Sequence, residues 1–361
     1  MPQKRNFYIY LFLISLIIHF CSYNLMVLGL KETITLTEIT RIDTGGNTYY
    51  IQVNEGIAVV SDVNFNGLKF YDINDPKNIE ELGTYSQGTG GGPHDIVICK
   101  NLVYLADRDN GLEIVNISDP YNPFFVAGVD TGGYAWGLQV SDNLAYIADN
   151  NQGLIIVDIN NRSNPSISGT YPSPNCNAIS VLNDELAFIT DWKGSIKIIN
   201  VSDPANCSLI SSFTNLTQPW GVIVEENLAY IPDMENGLKI VNVTNSNNLI
   251  QIAHYAESKN CLDVQIFNDL AFVSEWHYGF EIIDISDPKQ PIGLLQNEDC
   301  KDTKMICLKE DLLFIADGIY GLVIYKLKNT LSSSISSFEL DTLMISITIV
   351  SIWIKLKGKR T

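Results

Sequence analysis

Seven carboxylates return at one place along this chain, Asp62, Asp107, Asp149, Asp191, Asp233, Glu275 and Asp317, each just ahead of a small residue that opens an apolar run. A ring of carboxylates suggests cation binding, since calcium takes several oxygens within about 2.6 Å. The small residues, Gly67, Gly111, Gly153, Ser195, Gly237, Gly279 and Gly321, are spaced by 44 residues once and by 42 thereafter. A fixed period of this length means one supersecondary unit stacked on copies of itself. In such a unit the carboxylates end a second strand, about 4.8 Å outside the innermost one, which sets sevenfold neighbours roughly 10 Å apart. At that separation they cannot share an ion. The expectation is turn chemistry, each side chain capping backbone amides.

A second recurring position varies where the scaffold does not. Seventeen residues ahead of the anchors stand Tyr50, His94, Trp136, Ala178, Trp220, Leu262 and Lys304, with Asp95 and Asp263 one place later. Variable chemistry on a repeated frame is what a binding surface on a repeat protein looks like, and aromatics there can stack on sugars, a peptide or a cation. Plain filling of a central channel is the competing reading. The turns between second and third strands share this face and carry Arg108-Asp109-Asn110, Trp192-Lys193, Met234-Glu235-Asn236 and Trp276-His277-Tyr278. Large aromatics in turns are costly unless covered, so Trp192, Trp276 and Tyr278 are the candidates for partner contact, against packing onto the adjacent repeat. The binding candidates are therefore Tyr50, His94, Asp95, Trp136, Trp192, Trp220, Asp263, Trp276, His277, Tyr278 and Lys304.

Catalysis finds little footing. Beyond residue 30 the histidines are His94, His254 and His277, with no Gly-X-Ser-X-Gly and no His-Glu-X-X-His. A hydrolase or lyase would need its acid and base among carboxylates such as Asp95 and Asp263. The glycine run 88–92 is followed by strand rather than helix, so it reads as a flexible connection and not a phosphate loop. No catalytic residue, cofactor or metal is expected.

Each repeat reads as four short strands. Around Gly153 these are 135–140, 144–148, 154–159 and 166–171, rich in β-branched and aromatic residues and bounded by Asn, Asp, Gly and Pro. No stretch of the body has ten residues of helical periodicity. Such sheets pack face to face about an axis, and closing the circle protects all but short edges. The last repeat ends near Leu327 without a fourth strand, while 35–43 is a fourth-type strand with no repeat before it. The N-terminal strand should complete the last blade. The fold class is all-β, a seven-bladed β-propeller of four antiparallel strands per blade. Runs such as Leu112-Glu-Ile-Val-Asn116, Leu154-Ile-Ile-Val-Asp158, Leu238-Lys-Ile-Val-Asn242 and Phe280-Glu-Ile-Ile-Asp284 resemble the LVIVD-repeat family. The resemblance implies a seven-bladed propeller of bacterial or archaeal surfaces and carries no common activity.

The ends suggest an address. Residues 7–30 hold no charge and follow Lys4 and Arg5; at about 1.5 Å per residue they are long enough for a bilayer core of roughly 30 Å. They read as a signal peptide or signal-anchor, ahead of a propeller over 31–329. A Ser-rich linker at 330–342 and a C-terminal hydrophobic anchor with a basic tail at 343–361 follow. Both basic ends would lie in the cytoplasm, placing the body outside. Setting aside the six basic and two acidic residues of the tails leaves 17 basic against 39 acidic, a body near −22. That field repels nucleic acid. The partner expected is an extracellular protein or glycan, with the membrane reached through the terminal segments. Sequons at Asn116, Asn161, Asn200, Asn206, Asn215 and Asn242 fit an exterior site, although three recur with the repeat itself. Of six cysteines beyond the leader, Cys261 and Cys300 occupy similar places in neighbouring repeats and are the pair to test.

Overall fold

The computed structural model describes residues 31–62, 67–86 and 92–332, with backbone alone at 31–33 and 329–332. It forms seven sheets of four antiparallel strands. Blades 1 to 6 occupy 48–86, 95–129, 135–172, 176–213, 223–255 and 261–297. In blade 3 the strands are Ala135–Val140, Leu144–Asp149, Gly153–Asp158 and Ser166–Pro172, close to their reading from sequence. Blade 7 takes Met305–Lys309, Leu312–Ala316 and Leu322–Ser332 in order, and Lys31–Ile42 pairs outside the last of them. The N-terminal strand thus completes the final blade. Both strands of this join run longer than the sequence suggests. Residues 1–30, read from the sequence as a signal peptide or signal-anchor, and the segments beyond Ser332 lie outside the described residues.

Closure is visible at the axis, where the first strand of every blade neighbours the first strands of the blades on either side. The core lies between blades. Tyr104, Leu112 and Ile114 of blade 2 pack on Leu138, Ala145 and Ile147 of blade 3, all buried; Ile51, Val60 and Tyr71 of blade 1 pack on Phe314, Leu322 and Ile324 of blade 7. Alternation therefore fails in the third strands. In Leu154-Ile-Ile-Val157 every side chain is buried, because both faces of the sheet meet a neighbour.

The recurring carboxylates are structural, but they cap more than their own turns. Asp149 accepts from the amides of Asn151 and Gln152 at 2.9 Å and from the Thr131 hydroxyl at 2.6 Å. Four others accept amides from the loop that enters the blade: Asp62 from Asn47 (3.1 Å), Asp233 from Gln218 (2.7 Å), Glu275 from Lys259 (2.7 Å) and Asp317 from Asp302 (2.7 Å). One side chain at the end of the second strand thus staples the incoming loop. Gly111, Gly153, Gly237, Gly279 and Gly321 carry positive φ, as the turn requires. In blade 4 that conformation passes to Gly194, which frees the anchor position for Ser195.

All six cysteines among the described residues are unpaired, so the structure holds no Cys261–Cys300 bridge. Cys261 packs in the core between blades 5 and 6, whereas Cys300 faces the hydroxyl of Tyr325 at 3.7 Å. Similar repeat position did not bring the two thiols together. Asn116, Asn200 and Asn242 each accept an amide two residues on, an Asx-turn that the repeat needs whatever else their sequons do.

At the join, Arg41 of the closing strand donates to buried Asp317 at 2.9 Å, and Tyr325 donates to Glu38 at 3.2 Å. Removing Thr35 to Asp43 should lower the midpoint and cooperativity of the whole melt, because the end blade would expose an apolar face; an unchanged transition would contradict the closure. Arg41→Ala should cost about 1–3 kcal/mol by leaving Asp317 without its cation, measured by chemical denaturation.

Candidate functional site: the aromatic mouth of the channel

All seven variable positions, Tyr50, His94, Trp136, Ala178, Trp220, Leu262 and Lys304, line one cavity of about 510 Å³ at the axis. Their register has a backbone cause. The amides of His94, Trp220 and Lys304 each donate to a carbonyl near the end of their blade's second strand, Ala106 at 2.8 Å, Pro232 at 3.0 Å and Ala316 at 2.8 Å. In blades 1, 3, 4 and 6 the ladder instead slips at this point, between Thr48 and Ile51, Ala135 and Gly137, Cys176 and Ile179, and Cys261 and Asp263. A bulge re-aims the extra residue. In three of these blades a hydroxyl on the second strand receives the amide that the bulge releases: Ser61 from Tyr50 at 2.9 Å, Thr190 from Ala178 at 3.0 Å and Ser274 from Asp263 at 2.9 Å. Gly137 allows the close approach of blades 3 and 4, since a Cβ there would sit 2.9 Å from the carbonyl oxygen of Asn177.

The rings form a chain along the rim. Tyr49 meets His94 at 5.5 Å between centroids, His94 stacks on Trp136 at 5.0 Å, and Trp136 stacks on Trp220 at 5.4 Å. Trp136 and Trp220 belong to blades 3 and 5; they meet because blade 4 presents only Ala178 between them. The Asn177 side chain donates to the carbonyls of Pro219 (3.1 Å) and Trp220 (3.0 Å), setting that tryptophan's backbone. On the other side the Lys304 ammonium lies 4.5 Å from the Trp276 ring centre and 5.1 Å from that of Tyr49, and pairs with Asp302 at 2.7 Å. Burial lowers its pKa against the pull of Asp302.

Below the rim stand the two carboxyls. Asp95 accepts from its neighbour Ile96 and, across the blade boundary, from Leu138, each at 2.8 Å. Burial pushes it up to about 8 against those two amides, with the charge of Asp263 adding to the rise. Asp263 accepts from Gln265 at 3.3 Å, and burial lifts it to about 7. Burial holds His94 down at about 3, assisted by the charge of Arg108, so its ring is neutral. The cavity therefore offers two carboxyls that burial raises toward neutral pH, a neutral imidazole and the cations Arg108 and Lys304.

The structure gathers Tyr50, His94, Asp95, Trp136, Trp220, Asp263, Trp276 and Lys304 into this cavity. Trp192 stands behind it, tilted on Trp220 at 6.3 Å. His277 stacks on Trp276 at 4.6 Å with its side chain 61 % exposed, and Tyr278 points to solvent at 47 %. The 3-10 turn Trp276–Tyr278 separates them, sending one ring inward and the next two out. At the rim the sequence reading missed Tyr49, and it placed Arg108 in its turn without counting it among the binding candidates. Strict alternation sends Tyr49 away from the axis if Tyr50 faces it; the bulge over 49–50 brings both in. Arg108 is carried in because its turn, at φ 40°, bridges Ala135 of the next blade.

A family model described as LVIVD repeat matches residues 90–131, 132–173, 178–215, 218–256 and 260–295. A comparison with curated proteins finds no match. Among solved structures, the computationally designed Ika8 protein is 10 % identical with a TM-score of 0.59, over 80 % of this chain and 99 % of that one. A functionally unknown protein from Desulfotomaculum acetoxidans DSM 771 is 13 % identical with a TM-score of 0.59, over 72 % of this chain and 89 % of its own. Identities this low speak to fold alone.

The raised carboxyl at 95 has a thermodynamic signature. An unfolded Asp titrates near 3.9, whereas Asp95 does so at about 8, so between these values the folded state holds the extra proton. Stability from this group is complete below about pH 4 and is lost as pH rises toward 8, by at most roughly 1.4 kcal/mol per unit. Asp95→Asn should start lower in acid, having one acceptor fewer, yet lose less across that window. Denaturation at stepped pH measures both slopes, and equal slopes would contradict the assignment.

Proposed function

This chain belongs to the LVIVD-repeat family, and from that premise we propose that it is a membrane-tethered propeller of the cell surface that binds an extracellular protein or glycan through its channel mouth, without chemistry. The observation that carries the reading is the convergence of all seven variable positions on one cavity. The scaffold residues repeat from blade to blade; these do not, and they differ in size, charge and hydrogen bonding. Aromatic walls with a few convergent polar groups are the usual makeup of a recognition site. The exterior address rests on the uncharged stretch 7–30 after Lys4 and Arg5, and on the basic residues that end the chain.

A catalytic reading has one observation in its favour. Asp95 and Asp263 stand in the same cavity with pKa values raised to about 8 and about 7, the range a general acid and base need. Against it, both oxygens of Asp95 already accept backbone amides, which spends that side chain on holding blades 2 and 3 together. A role as an inert envelope component would leave the variable ring without a purpose.

Replacing Trp136, Trp192, Trp220 and Trp276 together by leucine should abolish capture of the cell-surface partner found by crosslinking on intact cells, with the melt still cooperative. Trp220→Ala or Trp276→Ala alone should weaken capture by about 2 kcal/mol or more, as central aromatic anchors do. Unchanged capture by a folded quadruple variant would sink the binding-face reading.

A further inference from the structure

Arg108 carries the next step. The body is strongly acidic, yet two cations turn into its central cavity, and they are not equivalent. Lys304 is satisfied, paired with Asp302 at 2.7 Å and seated against Trp276 and Tyr49. Arg108 is half-buried, lines the same cavity, and makes no ion pair or side-chain hydrogen bond among the described residues. It is held there by a turn in the left-handed region, with its amide donating to Ala135 at 3.2 Å and its carbonyl accepting from Ala135 at 3.1 Å. A residue with a Cβ keeps that conformation only where its surroundings impose it. That turn sets the Arg108 backbone at the mouth, and the side chain lines the cavity with its five donors unspent.

Independent atoms point the same way. His94 is 6 % exposed, and its Nε2 is buried without a hydrogen-bond partner. The indole N–H groups of Trp220 and Trp276 are likewise buried and unpartnered. A desolvated donor left unsatisfied costs about 1–3 kcal/mol. Two indole donors and an imidazole nitrogen that donates or accepts by tautomer, all around one cavity, are an unmet demand for hydroxyl partners, which a ligand that parts the rings would meet. Deeper in, Asp95, Asp263 and the amides of Gln52 and Gln265 make the wall polar, so an apolar side chain would be poorly received.

Resting on the binding reading above, we infer that the mouth takes the carboxylate-bearing end of an acidic sugar, a uronic acid, whose carboxylate is forked by Arg108 and whose hydroxyls satisfy the indole and imidazole nitrogens. Planar, bidentate recognition of a carboxylate is what guanidinium does and ammonium does not. The repulsion of the acidic body is no obstacle, because at physiological salt it is screened over about 8 Å while Arg108 is in contact. A linear polyanion lying across the rim would meet that repulsion along its length. A single terminal residue would not.

The test is titration of the full chain with D-glucuronate, D-glucose, acetate and inorganic phosphate, followed by tryptophan fluorescence. Glucuronate should bind at least about tenfold more tightly than glucose, the worth of one charged hydrogen-bond pair. Arg108→Gln should remove that preference, Arg108→Lys should restore only part of it, and Arg162→Gln, at an arginine that donates to the carbonyl of Asp142 away from the cavity, should leave it intact. Each melt is recorded, and Arg108→Lys serves if the glutamine variant fails to fold. Equal binding of glucose and glucuronate, binding of acetate or phosphate as tight as glucuronate, or a preference that survives Arg108→Gln would each overturn the inference. If glucuronate does not bind while partner capture still depends on Trp220 and Trp276, the acidic-sugar assignment fails and the binding reading stands. If capture too ignores the tryptophans, both fall.

Discussion

Everything in this molecule depends on the N-terminal strand lying against the last blade. Blades of four short strands have two apolar faces each, and a row of them would leave one face bare at either end. Pairing Lys31–Ile42 outside Leu322–Ser332 makes the two ends of the chain one blade and removes both bare faces at once. The ion pair of Arg41 with buried Asp317 fastens that blade where the repeat's own carboxylate waits, so the closing strand uses a feature the other blades already have.

A closed ring then fixes what can stand at its centre. Seven inner strands converge, and a small residue on one blade decides whether the blades beside it touch across the gap. Ala178 does this for Trp136 and Trp220. The bulges where the mouth begins add a second control, turning consecutive residues inward and handing the freed amides to Ser61, Thr190 and Ser274. Below them the inner strands are laced across blade boundaries, by Asp95 to Leu138 at 2.8 Å, Gln139 to Val181 at 2.7 and 3.0 Å, and Ser180 to Val224 at 3.0 Å. The same side chains that shape the cavity hold its walls in register.

The period of 42 made the blade, the closure and the seven mouth positions legible, because a repeat transmits position faithfully. It transmits side-chain direction less well. Tyr49 escaped because alternation assumes an unbroken ladder, and the bulge breaks it. Tyr278 was grouped with Trp276 because both lie in one turn on the right face, yet a 3-10 turn sends them opposite ways. Cys261 and Cys300 looked like partners by position alone, while the fold commits one to the interface of blades 5 and 6 and the other to Tyr325. Arg108 was visible as a turn residue, but its orientation depends on a bridge to the next blade that no local pattern encodes.

The central claim is that ring closure, and nothing local, builds the aromatic mouth. Trp136 and Trp220 are 84 residues apart and come from blades that are not neighbours, yet stack at 5.4 Å with 24° between their planes. Such a pair gives an exciton couplet in far-ultraviolet circular dichroism. Thermal unfolding followed at the couplet and at the β-sheet band should show one coincident transition, with the couplet reduced in Trp136→Phe and absent from Trp220→Phe, whose ring also meets Trp192. A couplet that melts separately from the sheets, or that persists without Trp220, would contradict the account.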